Sequence, residues 1–180
     1  RETQDAHGRL LWAAGKLVEK SPNEDLAGYG NQLFHRALDP VSDFSSPRAW
    51  AFSLLGIRGY LSKFEGDRNS KLVGSKLAER LLDGFKENST DDWLWLEDKV
   101  TYENARLPQA LICWGKYVEN EEMKDWGLKS LRWLMDIQID PRNEALSLIG
   151  NEGWLTRGGE KADFDQQPVE VAALIDANWF

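Results

Sequence analysis

Three segments of this sequence repeat one plan, in which a helix, a polar break and a second helix follow an arginine. The segments begin at Arg9, Arg48 and Arg106, and a fourth segment with one helix opens at Pro168. Each segment has apolar residues at helical spacing. An αα-hairpin cannot bury its apolar face alone, so the repeat predicts hairpins stacked side by side, as part of a larger ring or solenoid.

Breaker and capping residues predict where the helices end. The first helix is predicted from Asp5 to Lys20, because Ser21–Asn23 contains a proline that breaks it. Ser46-Pro47 predicts the start of the third helix, since serine caps a helix and proline fits its first position. No segment with a two-residue hydrophobic period is longer than a few residues. We therefore predict an all-α fold in a single domain over residues 1–180.

Composition excludes several classes of function. The net charge is -8 and no Lys/Arg-rich run occurs, so we expect no nucleic-acid partner. No apolar stretch approaches the roughly 20 residues of a membrane span. The single cysteine, Cys113, excludes an internal disulfide and fits a reducing compartment, from which we predict a cytoplasmic location. No phosphate-binding loop, nucleophile elbow or metal-ligand cluster occurs, so we expect no metal and no cofactor.

The connections between helices are of two kinds. Breaks within hairpins are short and polar, whereas links between hairpins are longer and contain aromatic residues. In a stack of hairpins all breaks lie at one end, here called the turn end, and all links lie at the other, here called the link end. The link end should gather these polar and aromatic residues: Asp5, His7, Ser45, Ser46, Trp93, Trp95, Glu97, Tyr102, Asn104, Trp154, Asp163, Asp165, Gln166, Gln167 and Glu170.

These residue types have the chemistry of a sugar site. Aromatic faces stack on the apolar face of a pyranose, and carboxylates and amides bind its hydroxyls. Two carboxylates that flank a glycosidic bond also provide a general acid and a general base. The link end is therefore predicted to bind an oligo- or polysaccharide.

Two motifs provide the candidate residues. In Asp92–Glu97, alternation in an extended segment would point two indoles and Glu97 to the same side. The alternative is a loop packed on the rim, with Glu97 solvated or paired with an arginine. In Asp163–Pro168, two acids and two amides precede a helix N-terminus, and capping by Asp165 explains one of them. Trp154, in a Gly-rich stretch, belongs either to a movable flap or to an ordinary surface loop.

We predict that Glu97 and Asp165 form an acid/base pair, with Asp163 as the alternate acid. The predicted substrate-binding residues are a stacking platform followed by hydroxyl-binding groups: Trp93, Trp95, Tyr102, Asn104, Gln166, Gln167 and Glu170. Arg106 is interpreted as a structural ion-pair partner, because arginines recur at the equivalent positions 9 and 48.

Three motifs resemble those of bacterial helical-toroid proteins: SPRAWAF (Ser46–Phe52), TYENARLPQAL (Thr101–Leu111) and FDQQPVE (Phe164–Glu170). Members are commonly labelled glycosyltransferases, often because the region occurs beside or within a protein that has a group 1 glycosyltransferase domain. Their plan is similar to that of six-hairpin glycosidases and N-acylglucosamine 2-epimerases. The resemblance implies part of an (α/α)6-type toroid, with about three and a half hairpins present. A second copy or a companion chain or domain is then expected to complete it.

The resemblance implies a carbohydrate-active protein, glycosidase- or glycosyltransferase-like, that acts on a glycosidic bond. Six-hairpin hydrolases are usually inverting, which would require carboxyl groups roughly 6.5–9.5 Å apart. The alternatives are a non-catalytic glycan-binding or scaffold module associated with a glycosyltransferase, or a sugar epimerase-type toroid, for which only His7 is placed. The sequence has no α/β nucleotide-binding pattern, so a conventional nucleotide-sugar transferase is excluded.

Overall fold

The structure, a computed structural model, describes residues 2–179 and is built mostly from helices, as the all-α prediction requires. Its seven α-helices in this range are α1 (Glu2–Lys20), α2 (Glu24–Leu38), α3 (Pro47–Leu61), α4 (Arg68–Asn88), α5 (Arg106–Tyr117), α6 (Glu121–Asp136) and α7 (Pro168–Asn178). A 3-10 helix, Asp39–Asp43, follows α2. Two short strands, β1 (Lys99–Val100) and β2 (Leu155–Thr156), pair antiparallel.

The helices form two rows. In the inner row α1 packs on α3, α3 on α5 and α5 on α7, while α2, α4 and α6 pack outside them. Helices α1 and α3 are parallel, because Gly8 lies opposite Ala49 and Gly15 lies opposite Gly56, so residue numbers rise together along them. The start of α5 lies beside the start of α3, since Arg48 donates to Asn104, just before α5. The stacked hairpins predicted from the repeat are confirmed.

Each outer helix runs back against its inner partner. His7, near the start of α1, is hydrogen-bonded to the carbonyl of Ala37 at the end of α2, with 2.7 Å between Nε2 and O. Gly115, near the end of α5, lies against Asn120 and the start of α6. Consequently the N-termini of α1, α3 and α5 share one end of the molecule, the link end, and the breaks within hairpins lie at the turn end.

Side-chain caps fix several helix starts. Ser46 accepts a hydrogen bond from the N–H of Ala49, and Pro47 occupies the first position of α3, as predicted. Asn23 and Asp67 cap α2 and α4 in the same way. Such caps satisfy N–H groups that the helix itself leaves unpaired. The first helix begins at Glu2, earlier than predicted, because none of residues 2–5 is a breaker.

The buried apolar residues form one continuous cluster that includes side chains from every helix of both rows. Trp95, Trp114 and Phe52 are fully buried within the protein. By contrast, α7 has an exposed apolar face with Ile175, and Trp179 follows it at 88% exposure. Among the described residues, no helix is both long and apolar enough to cross a membrane.

Candidate functional site

Arg48, near the start of α3, forms hydrogen bonds to the link that precedes α5. Its side chain is almost fully buried, and its guanidinium donates three hydrogen bonds to that link. The acceptors are the carbonyl of Tyr102 at 2.7 Å, Oε2 of Glu97 at 2.5 Å and Oδ1 of Asn104 at 3.1 Å. The predicted acid Glu97 is therefore paired with an arginine, which is the alternative recognised for this motif in the sequence.

The other two repeated arginines meet on one carboxylate. Glu103 accepts from Nη1 of Arg9 at 2.7 Å and from Nε of Arg106 at 2.9 Å. Arg106 also donates to Gln109, and to Asp176 of α7 at 2.7 Å. The network connects α1, α5 and α7; Glu103 and Arg106 at its centre are buried, whereas Arg9 and Asp176 are partly exposed. Arg106 is thus a structural ion-pair partner, as interpreted from the repeat.

Glu170 is buried at the start of α7, where it holds the segment that precedes α5. Its carboxylate accepts from the backbone N–H groups of Glu103 and Asn104, and from Nδ2 of Asn104 at 2.9 Å. Burial raises the pKa of Glu170, and these hydrogen bonds only partly offset that effect. Asn104 is equally buried. The prediction that both residues bind sugar hydroxyls is corrected, since their polar atoms join two parts of the fold.

The predicted stacking platform at Trp93 and Trp95 lies in the core. Trp95 is fully buried and Trp93 nearly so, and their ring centroids lie 6.0 and 5.0 Å from that of Trp133. The indole N–H of Trp93 donates to the carbonyl of Glu97 at 2.9 Å. A sugar cannot stack on rings whose faces are covered by protein, so this part of the prediction is corrected.

Tyr102 and Trp154 are the half-buried aromatic residues that meet at the link end. Their ring centroids are 6.4 Å apart and their planes are tilted by 47°. The Tyr102 hydroxyl donates to Asp5, and the Arg48 guanidinium lies 4.8 Å from the ring centroid. Burial and the Asp5 hydrogen bond raise the pKa of Tyr102 to about 12. Of the three residues predicted to stack, Tyr102 alone keeps a partly open ring.

Trp154 comes from the long link between α6 and α7. It adopts a φ of 61°, an unusual conformation for a tryptophan, and its carbonyl accepts from the N–H of Ala162 at 3.0 Å. Pairing of β2 with β1, and a 2.9 Å hydrogen bond from the Arg157 N–H to the carbonyl of Asp98, fasten this link to the segment that contains Tyr102. The sequence showed an aromatic residue in a Gly-rich stretch, but no local signal paired it with Tyr102.

The acids of the motif before α7 lie in an exposed loop. Asp165 has a φ of 60° and accepts from Nδ2 of Asn151 at 2.7 Å. Asp163 is also exposed, and neither acid forms a salt bridge among the residues described. Gln166 accepts from the backbone N–H of Leu148 at 3.0 Å, so its amide shapes the loop. Gln167 precedes α7 without a side-chain cap bond.

The link end therefore contains two kinds of polar residue. Asp5, Glu97, Glu103 and Glu170 bind other parts of the protein, whereas Asp163 and Asp165 remain open to solvent. His7 contacts the carbonyl of Ala37 and the ring of Phe44. In residues 2–179, no group of three or more histidines, cysteines or acids could hold a metal ion.

No family model, no curated protein and no solved structure matches this chain.

Proposed function

We propose that the link end binds an oligo- or polysaccharide, and that the Tyr102–Trp154 pair forms the aromatic part of the site. The observation behind this proposal is the pair itself: two half-buried rings, 6.4 Å apart, where the N-termini of the inner helices converge. Aromatic rings that are only partly covered can accept the apolar face of a sugar on the side that faces solvent.

Each of the two rings has polar groups near it. The Arg48 guanidinium contacts both Glu97 and the Tyr102 ring. Asp165 accepts a hydrogen bond from Asn151, which lies in the same loop as Trp154. Carboxylates and amides at such positions can accept hydrogen bonds from sugar hydroxyls. Because Asn104 and Glu170 serve the fold, hydroxyl binding is assigned to Asp163 and Gln167.

The test compares two tryptophans. A glycan array first identifies a ligand, and titration calorimetry then compares Trp154→Ala with Trp179→Ala. We expect Trp154→Ala to weaken binding at least about tenfold, as loss of a central aromatic anchor typically does. Trp179 is exposed at the far end of α7, so Trp179→Ala is the matched control. This variant should bind the glycan as tightly as the wild type does. Equal affinity in both variants would refute the proposal.

The second candidate function is acid/base chemistry on the bound sugar. It is favoured by the exposed Asp165 carboxylate, which has no cationic partner among the described residues, and by the partial exposure of Glu97. If the protein is an enzyme, Glu97→Gln and Asp165→Asn abolish turnover but leave glycan affinity within about twofold. If it is a binding module, the wild type itself has no turnover on the ligand that the array identifies.

We also propose that another chain, either a second copy or a companion, covers the exposed apolar face of α7. This proposal follows from the expected toroid, in which a further helix would pack there. The exposed Val169 and Ile175 side chains are the contact residues. If the partner is a second copy, sedimentation velocity should show a species larger than 20.6 kDa, and a compact, stable monomer would contradict that arrangement.

A further inference from the structure

The inner row has two open ends, and each presents an exposed apolar helix face. In that row the neighbour of α1 is α3, and the neighbour of α7 is α5. The face of α1 that points away from α3 is here called the α1 edge, and the exposed apolar face of α7 is called the α7 edge. The α1 edge consists of Thr3, Ala6, Leu10 and Ala13, and the α7 edge consists of Val169, Ala172 and Ile175.

The α1 edge lies opposite the contact between α1 and α3. Gly8 and Gly15 are the residues of α1 that approach α3 most closely. Ala6 and Ala13 each lie two residues earlier, which is about 200° around a helix with 3.6 residues per turn. Leu10 lies between the two alanines on the same face and is 45% exposed. The exposed face of α1 therefore has small residues seven positions apart, as the face that packs on α3 does.

Both edges differ from the exposed face of an outer helix. Between positions 3 and 15 of α1 no exposed residue is charged, and Asp176 is the one charged residue among the exposed positions of α7. The exposed residues of α4 include six charged ones: Arg68, Lys76, Glu79, Asp83, Lys86 and Glu87. A contiguous apolar face bordered by polar residues is typical of a surface that binds another protein.

The charges beside the two edges are opposite in sign. The Arg9 side chain, beside the α1 edge, is 40% exposed, and the Asp176 side chain, beside the α7 edge, is 54% exposed. Both belong to the network of Glu103 and Arg106, so they lie on the same side of the inner row. If a second copy continues the row, its Arg9 lies on the side where Asp176 of the first copy lies. This complementarity favours a contact between the two different edges.

We propose that the α7 edge of one copy packs on the α1 edge of a second copy, with the two helices parallel. Glu170, at the start of α7, accepts hydrogen bonds from the backbone just before α5, so α7 begins at the link end as α1 does. The contact then continues the inner row from one copy to the next. This proposal rests on the earlier one that another chain covers α7, and it identifies that chain as a second copy.

Two arrangements compete with this head-to-tail contact. Pairing of the α7 edges of two copies would cover Ile175 but would leave Leu10 exposed, and it would bring no cation of α1 to Asp176. A companion chain of another sequence on α7 would likewise leave the α1 edge without a partner. The head-to-tail contact covers both edges at once, because each copy has one edge of each kind.

The first test is sedimentation equilibrium of the wild type and of edge variants. The average mass of the wild type should exceed 20.6 kDa and rise with concentration. Leu10→Asp and Ile175→Asp should each weaken association at least about tenfold, because each places an unpaired charge in an apolar contact. Leu72→Asp is the matched control, since Leu72 is 56% exposed on α4, and it should associate as the wild type does.

Mixing the two edge variants distinguishes the head-to-tail contact from the contact between like edges. An equimolar mixture of Leu10→Asp and Ile175→Asp should form dimers, because the first keeps an intact α7 edge and the second keeps an intact α1 edge. The proposal is overturned if the wild type is a monomer, or if Leu10→Asp associates as tightly as the wild type. In either case the earlier proposal of a companion chain or of paired α7 edges still stands, and glycan binding by Trp154 is measured separately.

The second test is disulfide cross-linking in a Cys113→Ala background, which removes the single native thiol. Leu10→Cys and Ile175→Cys, mixed and oxidised, should give a covalent dimer that neither variant gives alone. A mixture of Leu72→Cys and Ile175→Cys is the control and should stay monomeric under denaturing electrophoresis. A covalent dimer from Ile175→Cys alone, with none gained on mixing, would show that two α7 edges meet and would overturn the proposal.

Discussion

The contact between α1 and α3 aligns the link end, and Gly15→Ala tests it directly. A Cβ at residue 15 would lie 2.0 Å from the carbonyl oxygen of Gly56, whereas ordinary contact begins near 3.4 Å. The obstacle is backbone, so the helices must separate by more than about 1 Å to admit a methyl group. Overpacking of this kind costs about 1–3 kcal/mol of unfolding free energy, and a backbone obstacle favours the upper value.

Alanine also has a higher helix propensity than glycine, which offsets about 0.5–1 kcal/mol of that cost. The net loss expected for Gly15→Ala is therefore about 2 kcal/mol. For a chain of this length, 1 kcal/mol corresponds to about 2–4 °C in Tm, so the melting temperature should fall by about 4–8 °C.

Gly28→Ala is the matched control. Gly28 is exposed within α2, and no atom lies within 4 Å of the position that an alanine methyl group would take, so the same substitution meets no obstacle there. It should raise the unfolding free energy by about 0.5–1 kcal/mol through propensity alone. Thermal melts and urea titrations of both variants measure the two effects. If Gly15→Ala is as stable as Gly28→Ala, the close parallel contact of α1 and α3 does not exist.

Three further outcomes follow from the surroundings of single side chains. Asp67→Ala removes the cap of α4 and should cost about 1 kcal/mol near neutral pH. Burial alone would raise the pKa of Asp67, but hydrogen bonds from Ser70 and Tyr60 hold that pKa below 3.8. In urea titrations, the wild type should therefore have the higher unfolding free energy above pH 3.8, and its difference from Asp67→Ala should disappear as the pH falls through the lowered pKa. Burial raises the pKa of Cys113 to about 12, so thiol labelling at neutral pH should be much slower in the native than in the unfolded protein. Because the pKa of Tyr102 is about 12, Tyr102→Phe should not change the phenolate absorbance that develops below about pH 10.5.

The fold was predictable because its signals are local. The Ser46-Pro47 cap and the proline break in Ser21–Asn23 act within one helical turn, and each appears in the structure where the sequence placed it. The separation into a turn end and a link end followed from loop composition and from the geometry of stacked hairpins. The early start of α1 at Glu2 was missed, since no residue between positions 2 and 5 marks it.

The burial of Trp93 and Trp95 was not predictable. Alternation along a strand indicates which residues share a side, but it does not indicate whether that side faces solvent or the core. Trp93 and Trp95 pack against Trp133, which lies about 40 residues further along the chain and gives no signal near them. Burying two indoles removes a large apolar area from water, and that gain outweighs any local preference for exposure. The contact between Trp154 and Tyr102 was not predictable either, because the two residues lie in different links.

The chemistry of the link end depends on which carboxylates the fold leaves available. Each repeated arginine lies on an inner helix and binds a carboxylate from outside that helix: Arg48 binds Glu97, and Arg9 and Arg106 bind Glu103. Removing one partner of such a buried pair leaves an uncompensated charge, so these acids are poorly suited to exchange protons during a reaction.

Asp165 differs from these acids because it lies in an exposed loop and has only an amide donor as a partner among the described residues. A sugar bound on the Tyr102–Trp154 pair would therefore find one open carboxylate in the α7 loop and one arginine-paired carboxylate in Glu97. This asymmetry favours Asp165 over Glu97 as the residue that transfers a proton if the site is catalytic. An Asp165→Asn variant that keeps full turnover, beside an inactive Glu97→Gln variant, would reverse that assignment.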